Sequence, residues 1–319
     1  MGALSKQIWS GTAPIAKDCL TVLTNSFQQL PVSSCREMLL EQAGSRQVEY
    51  KRVAQGEVGI AAATLTHVMC ELLPTSCHES SVLLMDENVV AATSLVDAVL
   101  EAAPPYLRDD LFGEFPRMLQ PSQLCLVAGG RGARSDLHID PLSWTGWNCL
   151  LEGRKAWRFY PDTPQNTEAF RPLGRPFGIG KGGAGSAQLC TIGTGWRSEV
   201  DLFAQLTTHS RLNDKVPDGS ASFQADFGRF PHARGCTVCL DHVQEAGETL
   251  IFPGHWWHQT YHLSPTLGFA GQVLNSENLR QVLGHIISWC GLEARDEVAW
   301  GQEPRALIAQ VLGEAIDSF

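Results

Sequence analysis

The sequence predicts a mainly β domain of sandwich or barrel type with helices at both ends. Two observations predict it. From about Ser122 onward, short runs rich in aliphatic and aromatic residues alternate with Gly, Pro, Asp and Ser. On either side of that region apolar residues recur three and four apart, the period of a helix packed on one face. A chain of 319 residues, 44% hydrophobic and 18% charged, is long enough to bury a substantial core.

The first third reads mostly helical. Ile15 to Gln28 and Ser34 to Gln42 have helical spacing, with Gly44 placed to end the second. SRQVEYKRV alternates as a strand does, Thr64 to Leu73 returns to helix, SSVLLMD reads as a buried strand and Leu95 to Ala102 as a further helix. The strand region then runs through QLCLVA, DLHID, GWNCLL, KAWRFYP, TVCLDHV, ETLIFP, HWWHQTYHL and LGFAGQVLN; so many short strands imply a sandwich or barrel. Its Gly- and Ser-rich interior, at about 162–232, reads as an insertion carried on the scaffold. From Asn278 the helical period resumes, and Leu307, Ile308, Val311, Leu312 and Ile316 form an apolar stripe. The expected division is a helical region over 1–80, a β domain over 81–277 and a helical extension over 278–319.

A net charge of −10 gives no basis for direct nucleic-acid binding and makes a basic peptide or protein segment the natural electrostatic partner. The ten irregularly spaced cysteines, with no secretory-signal pattern, predict free thiols in the cytoplasm or nucleus. No apolar run is long enough to span a membrane.

The chemistry concentrates in SDLHIDPLSW. On a strand, residues two apart share a face, so His138 and Asp140 project together while Ile139 packs behind them. One imidazole and one carboxylate are two of the three groups of a 2-His-1-carboxylate Fe(II) site. The third comes best from GETLIFPGHWWHQTYHL. His258 is preferred there over His255, which lies in the turn, and over His262, roughly 13 Å further along an extended strand. In WNCLLEGRKAWRFYP, Lys155 sits among Ala156, Trp157 and Phe159. A buried ammonium there needs an anionic partner, which an acidic small molecule would supply; the alternative is a lysine reaching solvent.

Together, HIDPLSWTGWNCLLEGRKAWRFYP and GETLIFPGHWWHQTYHL closely resemble the JmjC-domain Fe(II)/2-oxoglutarate oxygenases, above all the small JmjC-only branch of lysyl-hydroxylase type. The signature is carried by His138, Asp140, Pro141 and Leu142, by Trp147 and Asn148, by Gly153, Lys155 and Trp157, and by Pro253, Trp256, Trp257 and His258. The resemblance implies a double-stranded β-helix, the cupin-like jelly roll, with N- and C-terminal helices. It implies His138, Asp140 and His258 as iron ligands, Lys155 on the distal carboxylate of 2-oxoglutarate, Asn148 beside it and Ser135 as the nearby hydroxyl. Ala270 stands where relatives often place a Thr. With O2 as the other co-substrate, the implied activity is hydroxylation of a protein side chain with 2-oxoglutarate converted to succinate. The alternatives are N-methyl-lysine demethylation, as of histones, and a non-catalytic cupin-like binding scaffold.

Three other features carry less. GIGKGG (Gly178 to Gly183) fits a dinucleotide glycine pattern but lacks its βαβ setting. Cys236 and Cys239 lack the second pair a structural zinc needs, and TVCLDHV reads instead as a strand with a buried thiol. The C-terminal stripe suits an intramolecular helix contact or a homodimer interface equally.

Overall fold

The computed structural model describes residues 6–9, 19–24, 32–54, 57–116, 120–171, 174–179, 192–204, 228–236, 240–289 and 303–317. Among these, the strands form two sheets, numbered along the chain. The larger has nine strands in the order β1 (Lys6–Trp9), β2 (Leu20–Thr24), β13 (Glu248–Phe252), β8 (Thr145–Glu152), β15 (Thr266–Val273), β6 (Cys125–Gly129), β5 (Ser80–Asp86), β3 (Gln47–Ala54) and β4 (Glu57–Thr64). The smaller has six: β10 (Gly174–Ile179), β11 (Ile192–Ser198), β7 (Leu137–Ile139), β14 (Trp257–His262), β9 (Arg154–Tyr160) and β12 (Leu240–Glu245). All pairings are antiparallel except β1 with β2.

From β6 onward the chain passes repeatedly between the sheets, which is how a jelly roll closes its two faces on one another. Leu20, Val22, Trp157, Phe159, Leu250, Phe252 and Trp256, drawn from both sheets and the turn before β14, fill the space between them. A second cluster packs the opposite face of the larger sheet, including Tyr50, Leu84, Leu126, Trp147 and Cys149, against helix Val32–Ala43, the helical run beginning at Leu65 and helix Leu95–Ala102. Strand β8 serves both layers because alternate residues face opposite ways: Trp147 and Cys149 join the outer cluster while Asn148 turns inward.

Several expectations change. Leu20–Thr24, inside the segment read as helix from Ile15 to Gln28, is a strand. Its first four residues are buried and it pairs with β13, and a short apolar run gives periodicity nothing to separate helix from strand. The region 1–80 therefore contributes β1 to β4 to the larger sheet besides its helices. The span read as an insertion supplies helix Pro164–Phe170 and strands β10 and β11, and β11 pairs directly with β7, so this part of it is scaffold. Gly178 and Ile179 of GIGKGG end β10, whereas Gly180 to Gly183 lie outside the described residues. Cys239 also lies outside them; Cys236 is half-buried, and the described cysteines form no disulfide with one another.

The C-terminal helices Leu279–Trp289 and Pro304–Asp317 pack on each other. Leu307, Ile308, Val311 and Leu312 are buried against Leu279, Val282, Leu283 and Ile286, so these four residues of the stripe are covered within the chain. The side chain of Ile316 lies outside the described residues. No helix of the described residues is long and apolar enough to cross a membrane.

Candidate active site

Strands β7 and β14 are neighbours, with His138 directly opposite His258. That register brings together groups 120 positions apart in the chain, and their ring centroids lie 4.1 Å apart. Asp140 follows β7 at the start of a sharp turn in which Leu142 (φ 56°) and Ser143 (φ 53°) take the left-handed conformation. Two buried non-glycine residues there store backbone strain, held by the packing of Leu142 and Trp144 on the C-terminal helical cluster. Asp140 Oδ1 stands 3.5 Å from His138 Nε2 and 3.9 Å from His258 Nε2, and one donor atom from each of the three residues lies within 4.8 Å of the others.

The tautomers can be read from the partners. His138 Nδ1 is 2.8 Å from the Asp136 carbonyl and His258 Nδ1 is 3.0 Å from the Trp256 carbonyl. A carbonyl only accepts, so each Nδ1 carries a proton, and each Nε2 is the ring nitrogen that faces Asp140. The Asp136 carboxylate is itself held by Lys51 at 2.6 Å, which ties β7 to β3. Burial pushes the Asp140 carboxyl up, but the adjoining His258 and His138 rings and a bond from the Trp144 side chain outweigh it and hold it below its ordinary value. Burial and the neighbouring His138 push His258 down to about 4, against the pull of Asp140, so it is a neutral donor at physiological pH. His138 and Asp140 keep partial solvent contact while His258 is buried, so the cluster opens on the β7 side.

Lys155 lies deeper between the sheets, only 1% exposed. Its Nζ donates to Asn148 Oδ1 at 2.7 Å and stands 4.7 Å from the Trp157 ring centroid. Burial lowers it from the ordinary 10.5 to about 7, with Cys149 opposing. Among the described residues no carboxylate pairs with it. Asn148 is fixed from the other side, because Gln244 bonds its carbonyl and the Trp157 indole donates to Gln244. Ser135 Oγ accepts the Thr260 N–H at 3.0 Å, which leaves its own proton for a further acceptor. Ala270 stands opposite Asn148 on β15 and supplies no polar group.

Of the competing histidines, His255 is half-buried in the turn before β14. His262 is fully buried and in register with Lys155 rather than with His138. Sequence reasoning missed Trp144, Gln244 and the placement of His262 beside Lys155. The alternation Leu240, His242, Gln244 signals which residues share a face, but nothing local says what that face meets. Two imidazole nitrogens and a carboxylate suit Fe(II), and a buried cation without a carboxylate suits an acidic ligand beside it. The residues present therefore fit both groups.

A jelly roll holding a His-x-Asp pair opposite a later histidine defines a cupin-type metal scaffold. The chain belongs to the cupin-like domain family, whose model matches residues 40–271, and within it to the JmjC kind. It is 23% identical over 206 residues to the arginine-specific demethylase JMJ22 of Arabidopsis thaliana, covering 65% of this chain and 33% of that protein. It is 26% identical over 187 residues to the bifunctional arginine demethylase and lysyl-hydroxylase psr-1 of Caenorhabditis elegans, covering 57% and 37%. It is 24% identical over 177 residues to the 2-oxoglutarate and iron-dependent oxygenase JMJD4 of Mus musculus, covering 55% and 32%. The chain thus spans about a third of the length of these relatives.

Proposed function

We propose that this chain is an Fe(II)- and 2-oxoglutarate-dependent oxygenase that hydroxylates a C–H bond of a protein side chain. The observation that carries the reading is the convergence of His138, Asp140 and His258, one donor atom of each within 4.8 Å of the others, in the same inter-sheet space as an unneutralised Lys155. In this reading those three residues hold the metal, and Lys155 binds the distal carboxylate of the keto acid with Asn148 and Ser135 beside it.

When bound, ferrous iron with 2-oxoglutarate and O2 supplies an oxidant that replaces a C–H by C–OH while the keto acid leaves as CO2 and succinate. The protein's share is positioning and exclusion of water. The backbone carbonyls of Asp136 and Trp256 fix both imidazoles, Trp144 orients the carboxylate of Asp140, and Phe159 and Phe252 close the apolar side of His258. The partly exposed His138–Asp140 edge is where a side chain enters, and the net charge of −10 favours a basic segment there.

Relatives named as demethylases keep N-methyl demethylation as the second reading. The two share the C–H hydroxylation step and differ in the carbon attacked: an N-methyl carbinol falls apart, whereas a ring or chain carbinol persists. The test supplies Fe(II), 2-oxoglutarate, O2 and a peptide library with methylated and unmethylated members. Iron-dependent succinate formation, stimulated by one peptide class and abolished in Asp140→Ala, is the expected result. A peptide gaining one oxygen marks a hydroxylase and one losing a methyl group marks a demethylase. Metal binding without succinate under every condition would leave only the silent cupin scaffold.

A further inference from the structure

His262 lies four residues beyond His258 on β14, fully buried, and the metal cluster does not use it. Its register partner is Lys155, so the two side chains stand together on the inner face of the smaller sheet. Both cross toward the larger sheet. Lys155 ends on Asn148 of β8, and His262 lies against Gly129 of β6 and Thr266 of β15. A Cβ at position 129 would collide with the imidazole ring, so glycine there makes the room the ring occupies.

His262 Nδ1 is 2.6 Å from Thr266 Oγ1, and the Gly129 carbonyl, the hydroxyl's other acceptor, is 3.3 Å away. Thr266 Oγ1 accepts the Gly129 N–H at 3.3 Å, and its single proton goes either to the Gly129 carbonyl or, over the shorter contact, to Nδ1. A neutral ring that accepts at Nδ1 carries its proton on Nε2. Burial and the adjacent Lys155 both keep the ring neutral. Nε2 is enclosed and has no partner. A donor left unpaired inside a protein is destabilising, a penalty that an acceptor brought by a ligand removes.

We infer that Thr266 gives its proton to Nδ1 and that His262 is a second recognition residue for an acidic ligand: its Nε2–H donates to the same carboxylate that Lys155 neutralises. This rests on the keto-acid reading of the site and adds to it a directional neutral donor that the signature residues do not include. Lys155 supplies charge and His262 supplies geometry, so the end of the pocket selects a carboxylate over an apolar methyl group.

The test uses the full chain loaded with Zn(II) in place of iron, so that binding is read without turnover. Calorimetric titrations compare 2-oxoglutarate with 2-oxopentanoate, which has a methyl group where the former has its distal carboxylate. His262→Leu is expected to weaken 2-oxoglutarate about tenfold or more while leaving Zn(II) and 2-oxopentanoate affinities at wild-type values. Unchanged 2-oxoglutarate affinity in His262→Leu, with loss of it in Lys155→Met, overturns the role of His262 and leaves the keto-acid reading standing. A wild-type protein that binds Zn(II) but no 2-oxoglutarate overturns both. Should His262→Leu fail to fold, ring-nitrogen NMR of histidine-labelled wild type decides. A proton on Nε2 whose resonance moves when 2-oxoglutarate is added supports the inference. A proton on Nδ1, or an Nε2–H that does not respond, overturns it.

Discussion

Lys155 shows how a single residue can be costly to the fold and necessary to the proposed function. Its ammonium is enclosed, with one amide oxygen and one indole face for company, and burial drops it from 10.5 to about 7. Between those values the unfolded chain holds a proton that the folded chain does not. The destabilisation is therefore complete below about pH 7 and relieved as pH rises toward 10.5. Urea unfolding of the ligand-free protein should show stability rising by up to about 1.4 kcal/mol per pH unit through that window, a slope that Lys155→Met removes. Binding of a dicarboxylate needs the charged form, so 2-oxoglutarate affinity should fall as pH rises above about 7, with proton uptake visible when titrations are repeated in buffers of different ionisation enthalpy.

At the scale of elements, the β8–β9 hairpin delivers Asn148 and Lys155 to one another. The two lie seven residues apart, and the hairpin turns at Gly153 with φ of +82°. A Cβ there would strain the backbone and collide with the Pro265 carbonyl oxygen, so the turn has no substitute for glycine. Gly153→Ala should cost at least about 1 kcal/mol of unfolding free energy and weaken 2-oxoglutarate binding, read by urea titration and calorimetry; an unchanged protein would show that the turn relaxes freely. Strand β7 makes the opposite point. It is only three residues long, yet His138 and Asp140 are placed because β11 and β14 flank it on either side.

At the scale of the whole molecule, the C-terminal helices reach the His138–Asp140–His258 cluster through one turn. Leu283 and Ile286 pack in the same cluster as Leu142 and Trp144, and the Trp144 side chain bonds Asp140. Ser143 Oγ also meets His285 Nδ1 at 3.3 Å. The helices thus hold in place a turn whose left-handed residues would otherwise relax. Leu283→Ala should cost about 2–5 kcal/mol through the cavity it leaves. It should also lower metal affinity several-fold, measured by competition with a chromogenic chelator, although residue 283 is not one of the three candidate ligands. Lost stability with metal affinity intact would show that the turn holds itself.

The sequence by itself determined the elements whose pattern is local and the residues whose chemistry is unusual. The run of short strands, the hairpin around Gly153, the helix ending at Gly44 and the pairing of His138 with Asp140 on one face all follow from period and turn chemistry within a few residues. Only the tertiary structure decided that Leu20–Thr24 is a strand, that β11 completes the smaller sheet beside β7, and that four residues of the C-terminal stripe are covered inside the chain. It alone set His262 beside Lys155 and turned Trp144 to Asp140. The reason is physical. Strand partners and buried neighbours are chosen by contacts between distant segments, and the side-chain alternation that reveals a face carries no information about what that face will meet.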